Sequence, residues 1–313
     1  MLTSIRVGGG AEGGGATVQT QEPQALPPTC SEQVLLLLPM LLAWLALGVV
    51  TVNFHPEAEL GGTYPLEVVQ TSRLYSFPFM PESVSFAAML LLSILVSAAW
   101  CVAFEYMCAS ARSADLLCRW LIAWGSCWEG VGWTLAITQL GKTYINEPRP
   151  DFHERCWPRL EQPFPAECDT TQLPSTEVDS RGYATAADGL KAFPSGHSSS
   201  ATAIGGYLTG YALWCAYSRS GSLLSRLPRA GSRTHRDALQ LAAHRAALAL
   251  YLLPLVVGLW VAATRIRDFR HHPWDVNAGV ILGLLVSAAT LARVSSELKL
   301  REQRPLGVTG SKV

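Results

Sequence analysis

The sequence predicts an all-α protein, a six-helix transmembrane bundle behind a disordered N-terminal tail. Three observations lead there. Of 313 residues, 49% are hydrophobic and only 15% charged, which is too apolar for an ordinary soluble chain. The apolar residues are clumped into windows near the ~20 residues that cross a hydrocarbon core, rather than spread at amphipathic spacing. Residues 1–32 are instead rich in Gly, Thr, Gln and Pro, with glycine runs at Gly8–Gly10 and Gly13–Gly15. That composition buries too little apolar surface to offset the entropy of folding.

The first apolar stretch begins only around Val34, which suits a retained span better than a cleaved secretory signal. Spans are expected at about 34–52, 83–104, 120–140, 198–217, 246–264 and 276–296. They make one domain, 33–297, followed by a tail, 298–313. The fourth span carries Ser198, Ser199, Ser200, Thr202, Gly205, Gly206 and Gly210, small residues that suit a helix packed among others rather than bathed in lipid. Segment 218–245 holds Arg219, Arg226, Arg229, Arg233, Arg236 and Arg245 against the single acid Asp237, so it is expected in the cytoplasm. Both tails then lie there too. Loops 53–82, 141–197 and 265–275 fall on the opposite, luminal or extracellular face. The long loop 141–197 contains Cys156 and Cys168, which such a compartment could oxidise to a disulfide. Cys101, Cys108, Cys118, Cys127 and Cys215 lie in or beside apolar windows and are expected to pack.

With 24 basic and 24 acidic residues the chain has no global field to attract nucleic acid. Polar chemistry is concentrated at span ends. Lys142, Arg149 and Pro150 follow the third span, Pro194-Ser195-Gly196-His197 opens the fourth, and Arg265, His271 and Asp275 lie between the fifth and sixth. The topology brings all three clusters to one membrane face. Two guanidinium forks and an ammonium can surround a tetrahedral oxyanion, and the free N–H groups of a helix start favour one as well. Two histidines are then available as nucleophile and acid, and a carboxylate one helical turn after His271 can hold its reactive tautomer.

In these clusters the sequence resembles the type 2 phosphatidic acid phosphatase (PAP2) superfamily, whose signature is K-x6-RP, PSGH and SR-x5-H-x3-D. Here they read Lys142-TYINEP-Arg149-Pro150, Pro194-Ser195-Gly196-His197 and Thr264-Arg265-IRDFR-His271-HPW-Asp275, with Thr264 in place of serine. The runs PRPDFHERC, KAFPSGHSS and RDFRHHPWDV look like the lipid phosphate phosphatase branch. The resemblance implies a metal-independent hydrolase without cofactor, acting on phosphatidate, lysophosphatidate or diacylglycerol pyrophosphate. His271 would be the nucleophile, His197 the general acid and Asp275 the orienting carboxylate. Lys142, Arg149, Ser195, Gly196 and Arg265 would bind phosphate. Its partners would be the lipid substrate and membrane lipids of the endoplasmic reticulum or plasma membrane, with a homo-oligomer left open. Alternatives are another branch of the superfamily, for sphingoid-base phosphate, polyisoprenyl diphosphate or glucose 6-phosphate, or a relative that binds lipid without turning it over.

Other features read more plainly. His272 falls outside the spacing pattern and is expected to be structural. Gly141-Lys142-Thr143 ends like a nucleotide-binding loop, but Ala136 stands where that loop needs glycine. Glu129, in mid-span, is expected as a protonated or hydrogen-bonded carboxyl among helices, and Trp120, Trp124, Trp128 and Trp133 as anchors and packing.

Overall fold

The computed structural model describes residues 35, 37–53, 71–108, 113–156, 186–219 and 233–303. The expected N-terminal disorder, the Cys156–Cys168 bridge and most of the basic segment before 233 lie outside what is described. Among the described residues there are six long helices: α1 (Leu38–Asn53), α2 (Phe86–Cys108), α3 (Ser113–Ile145), α6 (Gly196–Tyr217), α7 (Arg233–Arg267) and α8 (Pro273–Gln303). Two short helices, α4 (Phe152–Cys156) and α5 (Ala186–Gly189), and a 3-10 turn, Arg73–Tyr75, lie between them. Among the described residues there is no strand.

Each expected span falls on one long helix, but the sequence underestimated several lengths. Helix α7 begins at Arg233, so the second half of the basic segment expected as a loop is helical. By length and composition, three helices can cross a membrane: 86–108, 245–267 and 273–301. Helix α1 is apolar but shorter. Helices α3 and α6 are not among the three, and the reason is their place in the bundle. Helix α6 is buried along nearly its whole length, serines and threonines included, and packs chiefly on α8 and α7. Its neighbours, not lipid, solvate its polar side chains, so it needs no continuous apolar surface.

Close approach is what allows this. A Cβ on Gly283 of α8 would come within 2.3 Å of both the Ser199 carbonyl oxygen and Thr202 Oγ1 of α6. Gly283→Ala is therefore expected to lower the thermal midpoint in detergent, at a cost of about 1–3 kcal/mol. Gly48→Ala, with nothing within 4 Å of the new methyl, is the control that should not. Pro254 interrupts the hydrogen-bond ladder of α7, and the next amide, Leu255 N, donates 3.2 Å across to Thr209 Oγ1 of α6.

The tryptophans clip α3 to its neighbours. Trp124 Nε1 and Trp128 Nε1 donate to Ser97 Oγ of α2 at 3.2 and 3.1 Å, and Trp120 Nε1 donates 3.1 Å to the Ala98 carbonyl. Trp133 is the outward member, 42% exposed. Glu129 is paired with Arg293 of α8, a partner the sequence reading passed over although an arginine inside an apolar span calls for an acid. The end of the bundle where α2 finishes is pinned by Glu105. This fully buried carboxylate accepts from Arg219 NH1 at 2.5 Å and NH2 at 3.0 Å and from the Tyr211 hydroxyl, and forms an ion pair with Arg119, Nε 3.2 Å away. The cluster joins α2, α3 and α6.

Candidate active site

At the other end, the last turn of α3 presents Lys142. Asn146 then takes a left-handed conformation, φ 52°, with its amide bonded to the Lys142 carbonyl at 3.1 Å. Asparagine tolerates that geometry better than most side chains, and it stops the helix. The chain turns back, and Arg149 N donates 2.7 Å to the Gly189 carbonyl, tying the Lys142–Arg149 segment to α5.

Helix α6 starts at the second cluster. Ser195 is its N-cap: Ser195 Oγ accepts from Ser198 N at 3.4 Å and from Ser198 Oγ at 2.9 Å. Ser195 N donates to the Asp275 carbonyl oxygen at 3.1 Å. Its polar groups are thus spent on the helix start and on α8, so it shapes the cradle without facing it. Gly196 and His197, the next two residues, do line the cavity.

The third cluster sits on the α7–α8 turn, where Phe269 adopts φ 53° and stacks on Phe77 at 4.8 Å. A left-handed phenylalanine is strained, and this one is held by that ring contact and by the bonds of Arg270 N and His271 N to the Arg265 carbonyl at 3.1 and 3.3 Å. Arg265 is completely buried; its NH2 donates to Asp268 Oδ2 at 3.0 Å, and Nε and NH2 reach Thr264 Oγ1 at 3.1 and 3.0 Å. The threonine that replaces the signature serine supplies the same acceptor.

These ends converge on one cavity of about 400 Å³. Lys142, Arg149, Gly196, His197, Arg265 and His271 all line it; Ser195 and Asp275 lie behind its wall. Leu47, Phe86 and Leu135 from α1, α2 and α3 also line it. A lining that mixes cations and imidazoles with hydrocarbon suits an amphiphile.

Hydrogen bonds assign the imidazole nitrogens. His271 Nδ1 lies 2.7 Å from the Ala192 carbonyl oxygen. A carbonyl can only accept, so Nδ1 carries the proton and Nε2 the lone pair. Asp275 Oδ2 is farther, 3.7 Å from Nδ1, and takes the His272 amide at 2.8 Å. The carboxylate expected to orient His271 therefore stands behind it, while a backbone oxygen makes the bond; a backbone acceptor leaves no mark in a sequence. Burial, partly opposed by the nearby Asp275 carboxylate and reinforced by Arg149 and Lys142, holds the His271 imidazole down at about 4. It is neutral at physiological pH. His197 Nε2 lies 3.3 Å from Arg265 NH1, which can only donate, so here Nε2 is the acceptor.

Three charged lining residues, Asp188, Arg270 and Glu82, were not singled out in the sequence. Asp188 binds Arg149 NH2 at 3.2 Å and Arg155 NH1 at 3.1 Å, and Arg155 is also held by Asp151 at 2.8 Å. Its carboxyl lies far below the usual carboxylate range: the cations Arg149, Arg155, Lys142 and Lys191 together outweigh the opposing effect of burial. Arg270 adds a cation, lying 4.1 Å over the Phe79 ring with NH2 donating 2.9 Å to the Met80 carbonyl. Glu82 reaches within 3.8 Å of Arg265 NH1. Arg270, next to His271, was legible as a basic residue in the motif; Asp188 and Glu82 reach the cavity only through tertiary folding.

Glu147, His272 and Asp275 bring three donor atoms within 4.8 Å of one another just behind His271. Within the group Glu147 Oε1 accepts from Trp274 Nε1 at 2.7 Å and Asp275 Oδ2 accepts from the His272 amide at 2.8 Å.

A family model described as the PAP2 superfamily matches residues 129–298. This chain belongs to the PAP2 superfamily. The match begins in α3 and runs to α8, spanning all three PAP2 clusters. Among curated proteins, the chain is 26% identical over 222 residues to Probable lipid phosphate phosphatase 4 of Arabidopsis thaliana, covering 68% of this chain and 59% of that protein. Lipid phosphate phosphatase 2 of the same plant is 30% identical over 154 residues, 49% of this chain and 44% of its own length. Diacylglycerol pyrophosphate phosphatase 1 of Saccharomyces cerevisiae is 31% identical over 154 residues, 49% and 45%. The chain thus spans about half the length of these relatives. No solved structure matches it.

Proposed function

We propose that the protein is an integral membrane lipid phosphate phosphatase that works through a phosphohistidine. The observation that carries this is the 2.7 Å contact of His271 Nδ1 with the Ala192 carbonyl, which leaves a neutral Nε2 as nucleophile in a cavity ringed by Lys142, Arg149 and Arg265. His271 Nε2 attacks phosphorus and the ester P–O bond breaks. A phosphate that recruits the Arg265 fork draws it off His197 Nε2, and its negative charge favours the imidazolium. His197 can then donate that proton to the departing alkoxide and take one from the water that hydrolyses the P–N bond. Lys142, Arg149, Arg265 and the Gly196 end of α6 hold the phosphoryl oxygens, Ser195 caps that end, and Asp275 supports the charged His271.

The substrate is a phosphomonoester on a lipid, with phosphatidate, lysophosphatidate and diacylglycerol pyrophosphate foremost; the apolar lining residues and the names of the relatives support that class. The six long helices cross the bilayer, and the site opens on the luminal or extracellular side. The chemistry needs no metal, because arginines and a lysine supply the charge that an ion would.

The test is phosphate release in detergent from a panel of glycerolipid phosphates, sphingoid-base phosphate, polyisoprenyl diphosphate and glucose 6-phosphate, with chelator present. Release from the glycerolipids that survives chelation is expected. Release confined to the sugar phosphate, or abolished by chelator, would overturn the assignment.

A further inference from the structure

Glu147 lies just past the end of α3, 3% exposed, with no cation bonded to it among the described contacts. Its Oε1 takes the Trp274 indole N–H at 2.7 Å and stands 3.9 Å from His272 Nδ1, which in turn is 3.3 Å from Asp275 Oδ2. The Trp274 ring stacks on His272 at 4.4 Å, and Tyr75 meets the same imidazole edge-on at 5.6 Å, so the group is walled by aromatic surface. Asp275 Oδ1 is buried without a hydrogen-bond partner in this arrangement. Two buried carboxyls with oxygens within 4.8 Å of each other cannot both ionise at low cost; one proton between them satisfies both.

We propose that Glu147 is a positioning residue of this site: by sharing one proton with Asp275 it holds the carboxylate behind His271 in place, and loss of that proton weakens the site as pH rises. The proposal rests on the phosphatase reading for its consequence but not for its geometry. The groups that face Glu147 are Asp275 and Trp274 from α8, His272 from the turn and Tyr75 from the 3-10 turn, while Lys142 and Arg149 act from the cavity side on His271. Burial, then the charge of Asp275 and the hydrogen bond with it, push the Glu147 carboxyl up to about 7, against the opposing pull of Trp274 and His272. Below that pH the shared proton stays. Above it, two anions face each other behind His271, drive Asp275 aside and oppose the incoming phosphate.

Glu147→Gln imitates the protonated carboxyl: it keeps an acceptor for Trp274 and a donor for Asp275 at every pH. In the wild type, kcat/KM should fall about tenfold per pH unit on the alkaline limb above about pH 7. In E147Q that limb should move up by a unit or more, making the variant about tenfold the more active of the two, relative to its own acid plateau, near pH 8.5. Glu147→Ala, which loses both bonds, should lower kcat with KM held, and E147Q should restore it at pH 6. An alkaline limb unchanged in E147Q overturns the proposal.

A second measurement needs no turnover. A carboxyl raised from 4.5 in the unfolded chain to about 7 in the folded one makes the native state bind the extra proton. Its contribution is complete below 4.5 and is lost as pH rises to about 7. The thermal midpoint of the wild type in detergent should therefore decline across that interval more steeply than that of E147Q; equal slopes overturn the shared proton. Flattened slopes with no phosphatase activity in either protein would keep the proton pair and overturn the phosphatase reading instead.

Discussion

His271→Ala is expected to cut phosphate release by at least about a thousandfold while leaving the thermal midpoint in detergent within a few degrees of the wild type. The size follows from the role: without Nε2 there is no atom to form the P–N bond, and the remaining cations bind phosphate without opening a path for it. Folding should survive, because the imidazole makes one neutral hydrogen bond, to Ala192, and the turn that carries it is fixed by backbone bonds and the Phe77–Phe269 stack. His272→Ala is the comparison. That ring packs between Trp274 and Tyr75 and does not line the cavity, so its loss should cost far less activity than loss of His271. Protein labelled with a radioactive phosphate donor and quenched in alkaline detergent should carry an acid-labile, base-stable label that is missing from His271→Ala. Wild-type activity in that variant would falsify the nucleophile.

Glu105→Ala should have the largest effect on stability, about 3–5 kcal/mol. Glu105 is wholly buried and is the shared counter-ion of Arg219 and Arg119, whose side chains are 0% and 9% exposed. Removing it takes the shared counter-ion away from two buried guanidinium groups, and it frees the junction of α2, α3 and α6. Glu105→Gln, which keeps the shape and an acceptor, should cost less but still destabilise. The two variants and wild type would be ranked by thermal unfolding in detergent. From Phe86, which faces His197 at 5.0 Å, Glu105 is nineteen residues along α2, about 28 Å at 1.5 Å per residue. Phosphate release per folded molecule should therefore stay at the wild-type level. A midpoint unchanged in Glu105→Ala would mean that the cluster contributes nothing net.

Much of the site was legible because its chemistry is written in local spacing. Lys142 and Arg149 flank one helix end, Gly196 and His197 open a helix behind the cap Ser195, and the five residues between Arg265 and His271 finish α7 and turn the chain toward α8. Apolar composition and its clumping likewise located all six long helices. The sequence was less informative about lengths, since a helix can continue past its apolar stretch as α7 does toward Arg233, and about which helices are buried by their neighbours. Helix α6 is polar along its face yet buried, because Gly205 lets α7 come so near that a Cβ there would stand 2.4 Å from the Pro254 carbonyl oxygen, and Gly283 does the same for α8.

What the tertiary structure alone decided are the contacts that cross between clusters. Periodicity and motif spacing report which side chains a helix end carries, because those depend on neighbours in sequence. They are silent on Ala192 as the partner of His271 Nδ1, on Asp188 holding Arg149, on Glu105 between two arginines and on Glu147 beside Asp275. Each joins residues tens of positions apart through hydrogen bonds and buried charge. Such pairs acquire their energy only when the bundle has closed and water is gone from between them.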